Sequence, residues 1–190
     1  FYIPCRYKEG YGISLKGIDY AHEKAVSLII ALDCGIRAVR QIEYANNIGI
    51  DFIICDHHNP SDKIPKAIAV LNPKQSDCNY PYKDLSGCGV GFKLIHAYCI
   101  RNEISFDQIK EYLDLLTISI GADIVPMTGE NKEIGESIIK AVGLAVKDID
   151  NDLIEIYPKD TATKANQTLK SAFELSEMGI NIVIGPVFYE

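Results

Sequence analysis

Asp51-Phe-Ile-Ile-Cys-Asp56-His57-His58 is the stretch that decides how this chain is read. A short apolar run reads as a buried strand, and the polar, metal-competent side chains that end it are costly beside a core unless something binds there. Upstream, Val26-Ser-Leu-Ile-Ile-Ala-Leu32 is a second apolar run, ending in Asp33-Cys34-Gly35. The stretch between them, Ile36 to Ile48, is of helix length and amphipathic, and Gly49 closes it. Strand, helix and strand in that order predict two parallel, adjacent strands joined by a right-handed crossover. Both polar endings then emerge at the carboxyl edge of the sheet, where open α/β folds place their ligands. Strands about 4.8 Å apart bring Asp33 and His57 within reach of one ion.

Downstream, Asn59 to Pro65 is a loop rich in proline and aspartate, and Ala67 to Leu71 reads as a short strand ending in Asn72-Pro73. Gln75 to Leu85 is polar and aromatic, hence loop. Ser86-Gly-Cys-Gly-Val-Gly91 reads as a glycine-rich turn opening a helix over Phe92 to Cys99, able to turn backbone N–H groups toward a phosphate. Close helix packing is the other reason for glycines there. A further helix is predicted over Phe106 to Ile120, broken at Gly121-Ala-Asp123-Ile-Val-Pro126. The tail reads as helix over Glu133 to Val146, strand over Leu153 to Tyr157, helix over Ala165 to Met178 stopped by Gly179, and strand over Ile180 to Ile184. The expected class is α/β: a parallel sheet with flanking helices, followed by a short β-α-β segment.

At 190 residues, with 47% hydrophobic and 24% charged residues, the composition is that of a soluble globular protein. No apolar run approaches the roughly 20 residues that span a bilayer, and nothing at the amino end has the pattern of a signal peptide. The six cysteines, at positions 5, 34, 55, 78, 88 and 99, contain no Cys-x-x-Cys pair. Reduced thiols and a cytoplasmic setting are therefore expected. A net charge of −7 makes the whole chain no magnet for nucleic acid, so such a substrate needs a local basic patch, a metal ion or a further domain. The chain begins without Met, in what reads as mid-domain sequence, and is expected to be a fragment.

The carboxylate and imidazole set is Asp33, Asp56, His57, His58 and Asp123. Mixed oxygen and nitrogen donors suit Mn²⁺ or Mg²⁺ better than structural zinc, and such sites activate water against phosphoryl groups. Arg6 and Lys93 are candidate phosphate partners. His96 reads as a core or boundary histidine, His22 as helix surface, and Asp150 and Asp152 as turn formers.

Five segments in order resemble the DHH phosphoesterase family: Tyr2-Ile-Pro with Arg6-Tyr-Lys-Glu-Gly-Tyr-Gly-Ile-Ser14, Leu32-Asp-Cys-Gly35, Cys55-Asp-His-His-Asn-Pro60, Leu71-Asn-Pro73 with Leu85-Ser-Gly-Cys-Gly-Val-Gly-Phe-Lys-Leu94, and Gly121-Ala-Asp-Ile-Val-Pro-Met127. The resemblance implies Asp33, His57 and Asp123 as metal ligands, with Asp56 ligating or orienting. It implies His58 at the scissile phosphate, and Mn²⁺ or Mg²⁺ in a two-metal site. Arg6, Ser86, Gly87 and Gly89 are the expected substrate-binding residues. The implied reaction is phosphodiester hydrolysis releasing 5′-nucleotides from single-stranded DNA, with oligonucleotide or dinucleotide cleavage as the alternative and no membrane partner. The family's first motif, an Asp-x-Asp on a central strand, is expected before Phe1, and its DNA-gripping domains are expected elsewhere. This chain is accordingly expected to be weakly active or inactive alone, with an unpaired sheet edge. Residues 1–131 are thus expected to be an incomplete DHH domain. Residues 132–190, through Glu133 to Val146, Leu153 to Thr161 and Gly179 to Pro186, resemble the start of a type I periplasmic binding protein. A ligand-binding module is the reading this tail implies, with a join expected at the shared stretch Pro126 to Lys132.

Overall fold

In the computed structural model, which describes residues 1–123, 125–136 and 165–180, both apolar runs are strands. β1 (Leu28–Leu32) and β2 (Asp51–Cys55) are parallel neighbours, in register from Leu28 opposite Asp51 to Leu32 opposite Cys55. β3 (Ala69–Leu71) pairs in parallel with the other side of β2, giving the order β1-β2-β3. Four helices belong with this sheet: α1 (Arg6–Glu9), α2 (Leu15–Glu23), α3 (Val39–Asn47) and α4 (Gly87–Arg101).

Side-chain alternation sorts the core into two layers. Phe52 and Ile54 of β2 and Ala31 of β1 pack with Ile18 and Ala21 of α2 and Ile42 and Ala45 of α3. Ile53 and Cys55 turn the other way, toward Leu85 and Val90 at the start of α4. Helices on both faces explain why β2 is a nearly continuous apolar run. β1 has the same composition, yet Leu28, Ile30 and Leu32 are 42%, 49% and 56% exposed. It has one strand neighbour among the described residues, and with Phe1 and Ile3 these side chains line a trough of about 840 Å³.

Three differences from the predicted boundaries bear on the site and its surroundings. α3 starts at Val39 rather than Ile36, with Ala38 at a non-helical ψ of 48° before it and the Ile36 N–H bonded to the Asp56 carboxylate. α4 starts at Gly87 rather than Phe92, so the glycine-rich stretch is helix and not turn; Ser86 caps it, its hydroxyl accepting from the Gly89 N–H at 3.0 Å. The helix predicted from Phe106 begins as two 3₁₀ turns, Phe106–Gln108 and Lys110–Tyr112, before α5 (Leu113–Ala122), which runs through Gly121 instead of breaking there.

The chain divides into two compact units, residues 1–110 and 111–190. In the second unit residues 129–136 are helical (α6), and α7 (Ala165–Glu177) ends at Gly179, whose φ of 78° suits glycine. The strand predicted over Leu153–Tyr157, the helix predicted beyond residue 136 and all but the first residue of the strand predicted over Ile180–Ile184 lie outside the described residues. Among the described residues no helix is long and apolar enough to cross a membrane.

One carboxylate ties down the amino-terminal segment. Glu9 accepts from the Tyr2 hydroxyl at 2.5 Å, the Ser14 hydroxyl at 2.8 Å and the Cys5 N–H at 3.0 Å. Its carboxyl is lowered from 4.5 to about 2, first by the Tyr2 hydrogen bond, then by those from Cys5 and Ser14. A depressed carboxylate stabilises only while ionised, so its hold on residues 1–14 is complete above pH 4.5 and lost as pH falls through about 2. Carboxyl-detected NMR titration of Glu9 should show that low midpoint; a midpoint at the ordinary value would mean the three bonds do not persist in solution.

Candidate metal centre

The parallel ladder continues one residue past each strand. The Asp33 N–H donates to Cys55 O at 2.8 Å, and the Asp56 N–H donates to Leu71 O at 3.0 Å. The two aspartates are thereby held at the carboxyl edge of the sheet by backbone hydrogen bonds. Asp33 has a φ of 60°, a left-handed conformation that aspartate tolerates better than most residues, and Gly35 follows at 110°. The chain therefore turns sharply as soon as Asp33 has been placed.

Asp56 is 1% exposed and both its oxygens are engaged. Oδ2 accepts from the Ile36 N–H at 2.8 Å. Oδ1 accepts from the His57 N–H at 2.8 Å and the His58 N–H at 3.1 Å, and lies 2.7 Å from His58 Nδ1. Burial by itself pushes this carboxyl up, but the hydrogen bonds from Ile36 and His58 outweigh it and hold the group below its usual value. One ionised side chain thus fastens the loop after β1 to the loop after β2.

His57 is held from both sides of its ring. Nδ1 lies 3.0 Å from Leu85 O, and a carbonyl only accepts, so Nδ1 carries the proton there. Nε2 is then the ligand atom, and it faces Asp33 Oδ1 at 3.2 Å. His58 packs edge-on to His57, with ring centroids 4.7 Å apart. Its Nδ1 is committed to Asp56, which leaves Nε2 as the nitrogen it presents from a side chain that is 57% exposed. One ligand atom from each of Asp33, His57 and His58 lies within 4.8 Å of the other two. That donor set, one carboxylate oxygen and two imidazole nitrogens, fits a divalent cation of the Mn²⁺ or Mg²⁺ kind. Asp56, expected to ligate or to orient, has both oxygens in hydrogen bonds here. Burial, and then the charges of Asp56 and Asp33, raise the Cys34 thiol to about 11, and burial raises Cys55 to about 11, so both stay thiols beside the site.

Other residues singled out in the sequence are placed as follows. Asp123 closes α5 in the second unit, its N–H on Ser119 O at 2.9 Å. Arg6 opens α1. Ser86 and Gly89 are buried partners in the α4 cap, and Gly87 lies against Asp33. Lys93 sits over the Tyr80 ring at 5.7 Å, His96 is part of an aromatic group with Phe92 and Phe106, and His22 is exposed on α2. Two supports went unread in the sequence. Asn72, 3% exposed, donates to His58 O at 2.8 Å, and Arg37 Nε donates to Asn59 O at 2.8 Å. An asparagine before proline at a strand end was the available signal for the first; the Leu85 carbonyl, being backbone, leaves no signal at all.

The DHH family, N-terminal domain, matches residues 1–120. The chain is 45% identical over 134 residues to the single-stranded-DNA-specific exonuclease RecJ of Bacillus subtilis, covering 70% of this chain and 16% of that protein. It is 31% identical over 202 residues to RecJ of Escherichia coli, covering 97% of this chain and 35% of that protein, an alignment that runs well past Lys132. Among solved structures it is similar to exonuclease RecJ bound to manganese, with a TM-score of 0.61 and 30% identity over 70% of this chain and 33% of that one. A second similar structure, RecJ of Thermus thermophilus in complex with Mn²⁺, has a TM-score of 0.53 and 27% identity over 64% of this chain and 18% of that one. The chain spans about a third or less of the length of these relatives.

Asp56→Asn tests the fastening. It replaces an acceptor for several N–H groups with an amide that presents its own donor to them, and should cost about 3 kcal/mol in urea unfolding. The wild-type advantage should be full above the ordinary carboxylate range and shrink as pH falls through the depressed Asp56 value. A loss below about 1 kcal/mol, the net worth of an average hydrogen bond, would show that the loops are held by other contacts.

Proposed function

Because this chain belongs to the DHH family, we propose that it carries part of the active site of a metal-dependent phosphodiesterase acting on single-stranded DNA. The observation that carries this reading is the imidazole of His57, whose Nδ1 is tied to Leu85 O while Nε2 meets the Asp33 carboxylate. Two electron-pair donors aimed at each other are repulsive unless a proton or a cation lies between them. Related proteins named as RecJ exonucleases, and their manganese-bound structures, support Mn²⁺ or Mg²⁺ as the cation and a DNA strand as the substrate. These names favour a polymer over a dinucleotide substrate.

The chemistry such an ion supplies when bound is polarisation of a phosphoryl oxygen and acidification of water to near-neutral pH. This chain's own residues do the rest. Asp33 and His57 would hold the ion. Asp56 orients His58 through Nδ1, so that His58, with its ring protonated, would donate from Nε2 to the scissile phosphate. Leu85 and Asn72 fix the backbone and ring on which those groups depend. The DHH resemblance supports Asp123 as a further ligand, and Arg6, on α1, is a proposed phosphate partner. The outer edge of β1, with its exposed leucines and isoleucine, is where a further parallel strand carrying the family's Asp-x-Asp would pair. With a chain charge of −7, a DNA strand is drawn here by the ion and by local cations, not by the overall field.

Calorimetric titration with Mn²⁺ tests the site. The chain should bind, and Asp33→Ala and His57→Ala should each weaken binding by at least about 100-fold. The same two substitutions should abolish release of 5′-nucleotides from a single-stranded oligonucleotide wherever the parent protein shows it. Binding that survives both substitutions would refute this assignment.

A further inference from the structure

We infer that Gly87 is a positioning residue for the metal centre: the missing side chain in the first turn of α4 is the space that the Asp33 carboxylate occupies. The inference deepens the metal-site reading and rests on it. A β-carbon built at Gly87 would lie 2.0 Å from Asp33 Oδ1, 2.3 Å from Asp33 Cγ and 2.6 Å from Asp33 Cβ. Gly87 does not need glycine for its backbone, since it lies within a capped α-helix where alanine is the better residue. Glycine is needed for what stands against it.

The clash has no easy relief. Rotating the Asp33 side chain moves Oδ1 and Cγ but not Cβ, and the Cβ distance alone is below any real contact. The Asp33 backbone cannot drift either: its N–H is held by Cys55 O at 2.8 Å. Moving the start of α4 instead would disturb the other ligand. Leu85, whose carbonyl holds His57 Nδ1, is two residues before Gly87, and Ser86 between them is fully buried as the helix cap. The same turn of chain therefore sets the place of Asp33 by contact and the ring orientation of His57 by hydrogen bond. By contrast, a β-carbon at Gly91, one turn along, would meet only the end of the Leu32 side chain, at 3.0 Å. Of the two reasons for glycine read from the sequence, a phosphate cradle and close packing, the contact at Gly87 favours close packing.

The test combines Mn²⁺ binding, followed by electron paramagnetic resonance, with thermal unfolding of the metal-free chain. Gly87→Ala should weaken Mn²⁺ binding by at least about tenfold, and Gly91→Ala should leave it within about twofold. Gly87→Ala should also lower the melting temperature, and that loss should vanish when it is combined with Asp33→Gly, because a residue at φ 60° accepts glycine without strain and the obstructing side chain is gone. Unchanged Mn²⁺ affinity in a folded Gly87→Ala chain would overturn the inference. So would a melting-temperature loss that persists with Asp33→Gly. If the wild-type chain binds no Mn²⁺, the metal-site reading itself fails, while the unfolding cycle still decides whether Gly87 and Asp33 share the space.

Discussion

The buried carboxylate of Asp56 is the constraint on which the rest of the site depends. It binds the Ile36 N–H with one oxygen and the His57 and His58 N–H groups, together with the His58 ring, with the other. A buried charge is tolerable only when it is well satisfied by hydrogen bonds. That requirement makes the two loops move as one: the loop after β1 cannot leave without stranding an oxygen, and neither can the loop after β2. Both loops carry a candidate ligand. Asp56 thus fastens together the two loops that carry the candidate ligands.

Around that fastening, three independent devices converge on a small volume. The parallel ladder extends one residue beyond each strand to place Asp33 and Asp56. The carbonyl of Leu85 selects the proton position on His57. The start of α4, capped by buried Ser86, closes the space beside Asp33. Backbone hydrogen bonds and sheet packing supply the rigidity, so little of the geometry relies on exposed side chains. His58 is the exception, and its exposure suits a group that meets substrate. Pre-organisation of this kind keeps ligand groups close without an ion, at the cost of setting lone pairs against each other.

The remainder of the chain is less directly tied to this centre. β1 shows the limit of composition: its run is as apolar as that of β2, yet Leu28, Ile30 and Leu32 are each about half exposed. Burial depends on neighbours, and a strand's own sequence does not say whether they are present. The likeness of residues 132–190 to a type I binding protein stands beside the alignment with the Escherichia coli exonuclease that runs through the same residues. Most residues of the strands on which the first likeness leans lie outside those described.

Periodicity and composition were enough for the sheet and its crossover. A 2.0-residue alternation and a 3.6-residue stripe are local properties, so β1, α3, β2, β3 and α7 were legible, as was the emergence of Asp33 and His57 at one edge. What only the tertiary structure decided was which of these groups hydrogen-bond to one another. Whether Asp56 ligates or fastens depends on which N–H groups reach it, and Ile36 is 20 residues away in sequence. Whether Gly87 cradles a phosphate or makes room for Asp33 depends on an approach between two residues far apart in the chain, invisible to any local pattern. The proton on His57 is set by a backbone carbonyl, and every residue type has one. Sequence specifies which groups are available; only the folded chain, by spending some of them on each other, determines which remain for function.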